Sequence, residues 1–265
     1  MRVHCLVTGN VRAKAGERGV RRYVVDDWRD EVMPVNAFLI EHPHGLVLFD
    51  TGQTARAATP GWFPRWHPFF RLSRFELTTS DEVASRLRSI GVEPTAVATV
   101  VLSHLHTDHV GGIDAFTHAK VIVHRREWKQ ATGLTGHVLG YLPQKWPTGL
   151  EPTLIDFDGH AVGPFRASYD LAGDGRLLLV PTPGHTAGHV ALLVRDDQRS
   201  WLLAGDLAHA AAEIEDTAPE IARWCRSERV EILTAHDPRA GSRHSSGVNT
   251  SSYSAIPPTE TKGHF

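Results

Sequence analysis

Six consecutive positions, His104-Leu105-His106-Thr107-Asp108-His109, hold three histidines and an aspartate. A packed core has no use for such a run, so whatever fold the chain adopts must present it to a ligand. Ahead of it, Ala96-Val97-Ala98-Thr99-Val100-Val101-Leu102 is a short β-branched stretch that predicts a buried strand. The cluster therefore sits just past a strand end. A helix beginning near Thr107 sends His104 and His106 one way from the loop, while Asp108 and His109 leave from the first helical turn, so two metal pockets can share one loop. Imidazole nitrogen and carboxylate oxygen are ligands that zinc accepts. Gly111-Gly112 lets the backbone pass close under such a site.

A dinuclear site needs more ligands, and later strand ends offer them. Leu177–Val180 runs into Pro183-Gly184-His185-Thr186, Ser200–Ala204 into Gly205-Asp206, and Val230–Thr234 into Ala235-His236. By ligand type, His104, His106 and His185 serve one ion and Asp108, His109 and His236 the other, with the Asp206 carboxylate as bridge. The expected cofactors are two Zn²⁺, and iron or manganese accepts the same donors. Two zinc ions about 3.5–4 Å apart bring the pKa of a shared water to about 7, so the chemistry expected is hydrolysis. Asp108 would ligate and also hand a proton to the leaving group. No serine–histidine pair and no activated cysteine competes as nucleophile.

The remainder of the chain reads as scaffold. Its 265 residues, 41% hydrophobic, suffice for one large domain, expected over residues 1–237. Residues 238–265 are rich in Ser, Gly, Thr, Pro and Asn without apolar period and predict a disordered tail. Net charge is −2 with scattered Lys and Arg, which argues against nucleic acid and for a small-molecule substrate. The amino terminus lacks the pattern of a secretory leader, no run approaches the ~20 apolar residues of a membrane span, and two distant cysteines suggest no disulfide framework. A cytoplasmic setting is expected.

Strands are predicted at Val3–Val7, Arg21–Val25, Val35–Glu41 and Gly45–Asp50, the last two as a hairpin. Asp50 reads either as a turn residue or as a carboxylate that orients a metal-binding histidine. Pro60–Phe75 is aromatic and proline-broken, and predicts no regular strand or helix. Its Trp62, Trp66, Phe69 and Phe70 either form a satellite core under a loop, or wall a substrate pocket or a homodimer contact. Thr79 and Glu82 have capping-box spacing before a helix that Gly91 stops. Val121–His124 predicts a strand, Arg125–Gln130 a helix, Thr132–Gly149 a loop and Glu213–Arg226 a helix. His124, His137 and His160 read as structural or surface histidines.

His104-x-His106-x-Asp108-His109, Pro183-Gly184-His185-Thr186, Gly205-Asp206 and His236, in this order, resemble the metallo-β-lactamase superfamily over roughly Val35 to Asp237. The resemblance implies an α/β fold, a four-layer αββα sandwich with metals at one edge between the sheets, and it puts Asp50 behind the metal ligands. Val35–Ile40, Leu48-Phe49-Asp50-Thr51-Gly52 and Ala235-His236-Asp237 look most like the N-acyl-homoserine lactonases, which implies a quorum-quenching hydrolase that opens a lactone ring. Many of these place a tyrosine three residues after the bridging aspartate, where its phenol helps to polarise the lactone carbonyl. Here His209 stands there, as the candidate catalytic group beside Asp108. Competing readings are a thioesterase or phosphotriesterase on the same metals, and a non-catalytic metal-binding domain. A complete ligand set speaks against the last.

Overall fold

A computed structural model describes residues 1–13, 32–64, 67 and 69–241, with the Phe69 side chain excluded. The predicted strand at Arg21–Val25, the Trp66 call and the tail from residue 242 lie outside the described residues.

Among the described residues, twelve strands form two sheets. The first contains β1 (Arg2–Ala13), β2 (Met33–His42), β3 (Gly45–Phe49), β4 (Ser73–Glu76), β5 (Val97–Val101), β6 (Lys120–His124) and β7 (Thr153–Ile155), in the order β4-β1-β2-β3-β5-β6-β7. The second contains β8 (Tyr169–Asp170), β9 (Leu177–Pro181), β10 (Val190–Arg195), β11 (Ser200–Leu203) and β12 (Val230–Leu233), in the order β12-β11-β10-β9-β8. In the first, β3, β5, β6 and β7 run parallel, and so do β11 and β12 in the second.

Side chains alternate between faces along a strand, and here both faces are covered. Phe38 and Ile40 of β2, Val47 and Phe49 of β3, and Val101 of β5 meet Leu177, Leu179, Val190, Leu192 and Trp201 from the opposing sheet. The intervening residues point outward. Ala37, Leu39, Leu48 and Val100 pack under helices α1 (Val83–Ser89), α2 (Thr107–Val110) and α3 (Arg125–Thr132). Leu178, Ala191, Leu193 and Leu202 pack under α4 (Ile214–Thr217) and α5 (Pro219–Ser227). The result is the expected αββα sandwich. No helix among the described residues is long and apolar enough to cross a membrane.

Several expectations need correction. The Thr79–Glu82 capping box does not form: Asp81 accepts from the Thr78 N–H and hydroxyl, and Glu82 instead takes the Ala55 N–H and the Thr54 hydroxyl, tying α1 to the loop after β3. The aromatic stretch does hold regular structure at its end, because Phe75 lies in β4, paired antiparallel with β1. The helix predicted over Glu213–Arg226 is split at Pro219, which cannot continue a helical hydrogen-bond ladder. Ala240 is buried with the core between the sheets. Gly111 and Gly112 do allow a close approach, but to the loop after β3: a Cβ there would lie 2.7 Å from Thr54 N and 2.4 Å from Thr51 O.

Gly52 shows how tightly that loop is packed. Its φ is +65° and an added Cβ would fall 2.0 Å from the Thr8 hydroxyl. Gly52→Ala is expected to cost about 2–5 kcal/mol, from about 1–2 for the left-handed backbone and the rest from overpacking. Gly91→Ala has a similar φ of +80° and open space around it, and should cost only the backbone part. Urea unfolding of both variants checks the difference.

Candidate metal centre

The strand ends deliver the site. Past β5, Ser103 to His106 turn into α2, whose first turn carries Asp108 and His109. Past β9 the Pro183-Gly184 turn carries His185, past β11 comes Asp206, and past β12 comes His236. All seven predicted ligands converge, in three overlapping groups: His104, His106 and His185; His104, His109 and Asp206; Asp108, His109 and His236.

The far nitrogen of most of these rings faces a group that fixes its proton. Asp50 closes β3 with φ 62°, and its carboxylate accepts from Ser103 N at 2.7 Å, Ser103 Oγ at 2.8 Å and His109 Nδ1 at 2.9 Å. A carboxylate only accepts, so Nδ1 of His109 carries a hydrogen, and in the neutral ring Nε2 keeps the lone pair that a cation requires. Ser103 spends its proton on Asp50, so it accepts from His104 Nδ1 at 3.0 Å and leaves His104 Nε2 bare. His106 Nε2 donates to Leu139 O at 3.0 Å, and His236 Nδ1 to Pro34 O at 2.8 Å. The nitrogens left bare on His104 and His106 face one another, Nε2 to Nδ1, at 3.1 Å, and His106 Nδ1 lies 2.9 Å from His185 Nε2.

Asp206 lies between the two groups. Its Oδ2 is 3.3 Å from His185 Nε2 and 4.0 Å from His104 Nε2, and its Oδ1 is 3.2 Å from His109 Nε2 and 3.3 Å from His236 Nε2. Asp108 Oδ2 stands 3.7 Å from His236 Nε2. His109 Nε2 and Asp206 Oδ1 are buried with no hydrogen-bond partner. Buried acceptors pointed at one another need a positive charge between them, and divalent cations fit this donor set.

The electrostatics carry the same demand. Burial, then the neighbouring imidazoles, hold His104 and His185 below the ordinary histidine range and His106 down to about 4. Burial also opposes charge on His109 and His236, yet the carboxylates prevail: Asp206 and Asp50 raise His109, and Asp206 brings His236 up to about 9. Burial would raise Asp206, but His109 and His236 hold it well below the usual carboxylate range.

Some contributors were not legible beforehand. His189 is buried, its Nδ1 donates to Thr182 Oγ1 at 2.8 Å, and its Nε2 accepts from Asp206 N at 3.0 Å. Both nitrogens are spent, so it orients the bridge and is no ligand. Glu127 is buried on α3, and Tyr141 beneath His106 is another unforeseen contact. Neither carries a spacing signal in the sequence.

The remaining predicted residues fall at the margin. His209 is exposed, its ring centroid 6.1 Å from that of His236 and its Nδ1 3.6 Å from Glu213. Trp62 lines a surface pocket with Arg56, Thr107, Leu142, Lys145 and Trp146, beside α2. Phe70 is not on that pocket and stacks on Phe63 at 4.6 Å. His124 makes a structural contact to Gly188 O.

Two facing sheets with a histidine–aspartate centre at one edge are the architecture of a metal-dependent hydrolase. The sequence profile of the Metallo-beta-lactamase superfamily matches residues 30–253, and the chain belongs to that superfamily. It is 28% identical to the N-acyl homoserine lactonase AttM of Rhizobium radiobacter, over 91% of this chain and 94% of that protein. It is 30% identical to an N-acyl homoserine lactonase of Bacillus thuringiensis, over 71% of this chain and 69% of that protein. Among solved structures, an N-acyl homoserine lactone hydrolase with N-hexanoyl-L-homoserine at its catalytic metal centre superimposes with a TM-score of 0.69, at 24% identity, covering 91% of this chain and 95% of that one.

Protein reconstituted with zinc is expected to hold two equivalents per chain by elemental analysis, and one at most would contradict the paired site. Asp206→Ala should lower the bound metal as well as turnover, because one carboxylate faces both groups.

Proposed function

We propose that the chain opens the ring of N-acyl-homoserine lactones, with two zinc ions in the centre. The observation that carries this reading is the union of a complete seven-residue donor set with relatives named N-acyl homoserine lactonase along 91% of the chain. Cations held there would supply Lewis-acid polarisation of a carbonyl and an acidified water. Water adds to the carbonyl carbon, the ring carbon–oxygen bond breaks, and the products are an acyl-homoserine carboxylate and one proton.

In this reading Asp108, partly open to solvent at the rim of the centre, takes the proton of the attacking water and passes it to the departing ring oxygen. His209, whose ring centroid lies 6.1 Å from that of His236, donates to the carbonyl oxygen. Trp62 and its pocket receive the acyl chain, supported by the adjacency of Thr107 to Asp108. The enzyme works in the cytoplasm, a reducing setting that suits two unbridged cysteines.

Acid release with short-chain and long-chain N-acyl-homoserine lactones, a thioester and a phosphotriester tests the assignment. Lactones are expected to turn over, faster as the acyl chain lengthens. Hydrolysis of the thioester or phosphotriester with the lactones left intact would keep the metal centre and remove the lactonase reading. His209→Ala should slow lactone turnover by roughly 10²-fold, the scale of one lost transition-state donor, at unchanged metal content. Parental kinetics in that variant would take His209 out of the site.

A further inference from the structure

The two histidine loops of the first metal group come from different sheets, yet His106 Nδ1 and His185 Nε2 are held 2.9 Å apart. As ligands of one cation both nitrogens must be bare and would repel, so that geometry needs other contacts to hold the loops together. Between them lies Glu127, fully buried on α3. Its Oε1 accepts from Leu105 N, between His104 and His106, at 3.0 Å, and from Tyr141 OH at 3.0 Å. Its Oε2 accepts from Thr186 Oγ1 at 2.7 Å and from Gly188 N at 3.2 Å, in the loop that carries His185. One oxygen serves each loop.

Four donors fill the acceptor capacity of a carboxylate, so Glu127 has nothing left for a metal. Its grip is close, since a Cβ on Gly188 would lie 2.2 Å from Glu127 N. Tyr141, pushed up by burial and by Glu127 itself, stays protonated as a donor, and its ring lies 5.0 Å from His106. One turn along α3, Gln130 Oε1 accepts from Ala187 N at 3.0 Å, which extends the clamp on the same loop. The second metal group is held differently: Asp50 orients His109, and Pro34 O orients His236.

We propose that Glu127 is a positioning residue that sets the gap between the His104–His106 loop and the His185 loop, and so the affinity of that metal position but not of its neighbour. This rests on the two-cation reading above. The test is a chelator-buffered zinc titration of the parent, Glu127→Gln, Thr186→Val and Tyr141→Phe, with melting curves of each metal-free protein. Glutamine keeps the shape but turns an amide NH₂ toward N–H or O–H donors. The parent should bind two equivalents tightly. Glu127→Gln should keep one of them and weaken the other by about 10–100-fold, the scale of losing an outer partner of a metal ligand. Thr186→Val and Tyr141→Phe should weaken the same equivalent by less, and they carry the test if Glu127→Gln does not fold. Cobalt substitution would then show the absorption of one position changed and the other retained. Equal weakening of both equivalents would overturn the proposal. So would a lower melting temperature with both affinities intact, the signature of a merely structural carboxylate. A parent that binds a single equivalent sinks the two-cation reading, and Glu127 is then judged by whether its glutamine variant weakens that one.

Discussion

Everything at the working edge depends on acceptors that are made to face one another. Asp50, Ser103, Leu139 O and Pro34 O each accept a hydrogen bond from one ring nitrogen, which in the neutral rings directs the opposite nitrogens of His109, His104, His106 and His236 inward without a hydrogen. Asp206 then adds two more acceptor atoms. Such an arrangement is unfavourable for the chain alone, because buried lone pairs without donors cost free energy. A cation reverses that sign, taking the place of the protons that Asp206 and Asp50 otherwise favour on His109 and His236.

Holding that geometry requires the two sheets to be locked in register at this edge. Asn36 N donates to Ala235 O at 2.8 Å, and the Asn36 side-chain amide reaches Thr234 O and Asp237 O, fastening the His236 loop to a strand of the other sheet. Val190 N donates to Ser103 O at 3.0 Å, tying the start of β10 to the end of β5. These bonds lie beside the apolar core shared by both sheets. Core packing sets the distance between the sheets, and the polar links set their register.

Much of the centre could be read from the chain before folding, because metal ligands are few in kind and appear where strands end. His104, His106, Asp108 and His109 are neighbours, and His185, Asp206 and His236 follow apolar runs closely enough to be recognised. The strands themselves were legible from β-branched runs, with β2, β3, β5 and β9 to β12 near their expected places. Local chemistry misled where a remote partner competed for it. Glu82 has the spacing of a capping box, but unsatisfied donors at Thr54 and Ala55 take its carboxylate.

Sequence alone determined which side chains meet, since only imidazole and carboxylate can serve such a centre and the turns after the strands leave them little choice of direction. Tertiary structure alone decided which nitrogen of each ring is bare, why His189 is excluded while His185 is included, and that Glu127 clamps both loops. The physical reason is that a tautomer, or a fourfold-satisfied carboxylate, is defined by partners tens of residues away, such as Asp50 for His109 and Thr186 for Glu127. No window of neighbouring residues contains both halves of such a bond.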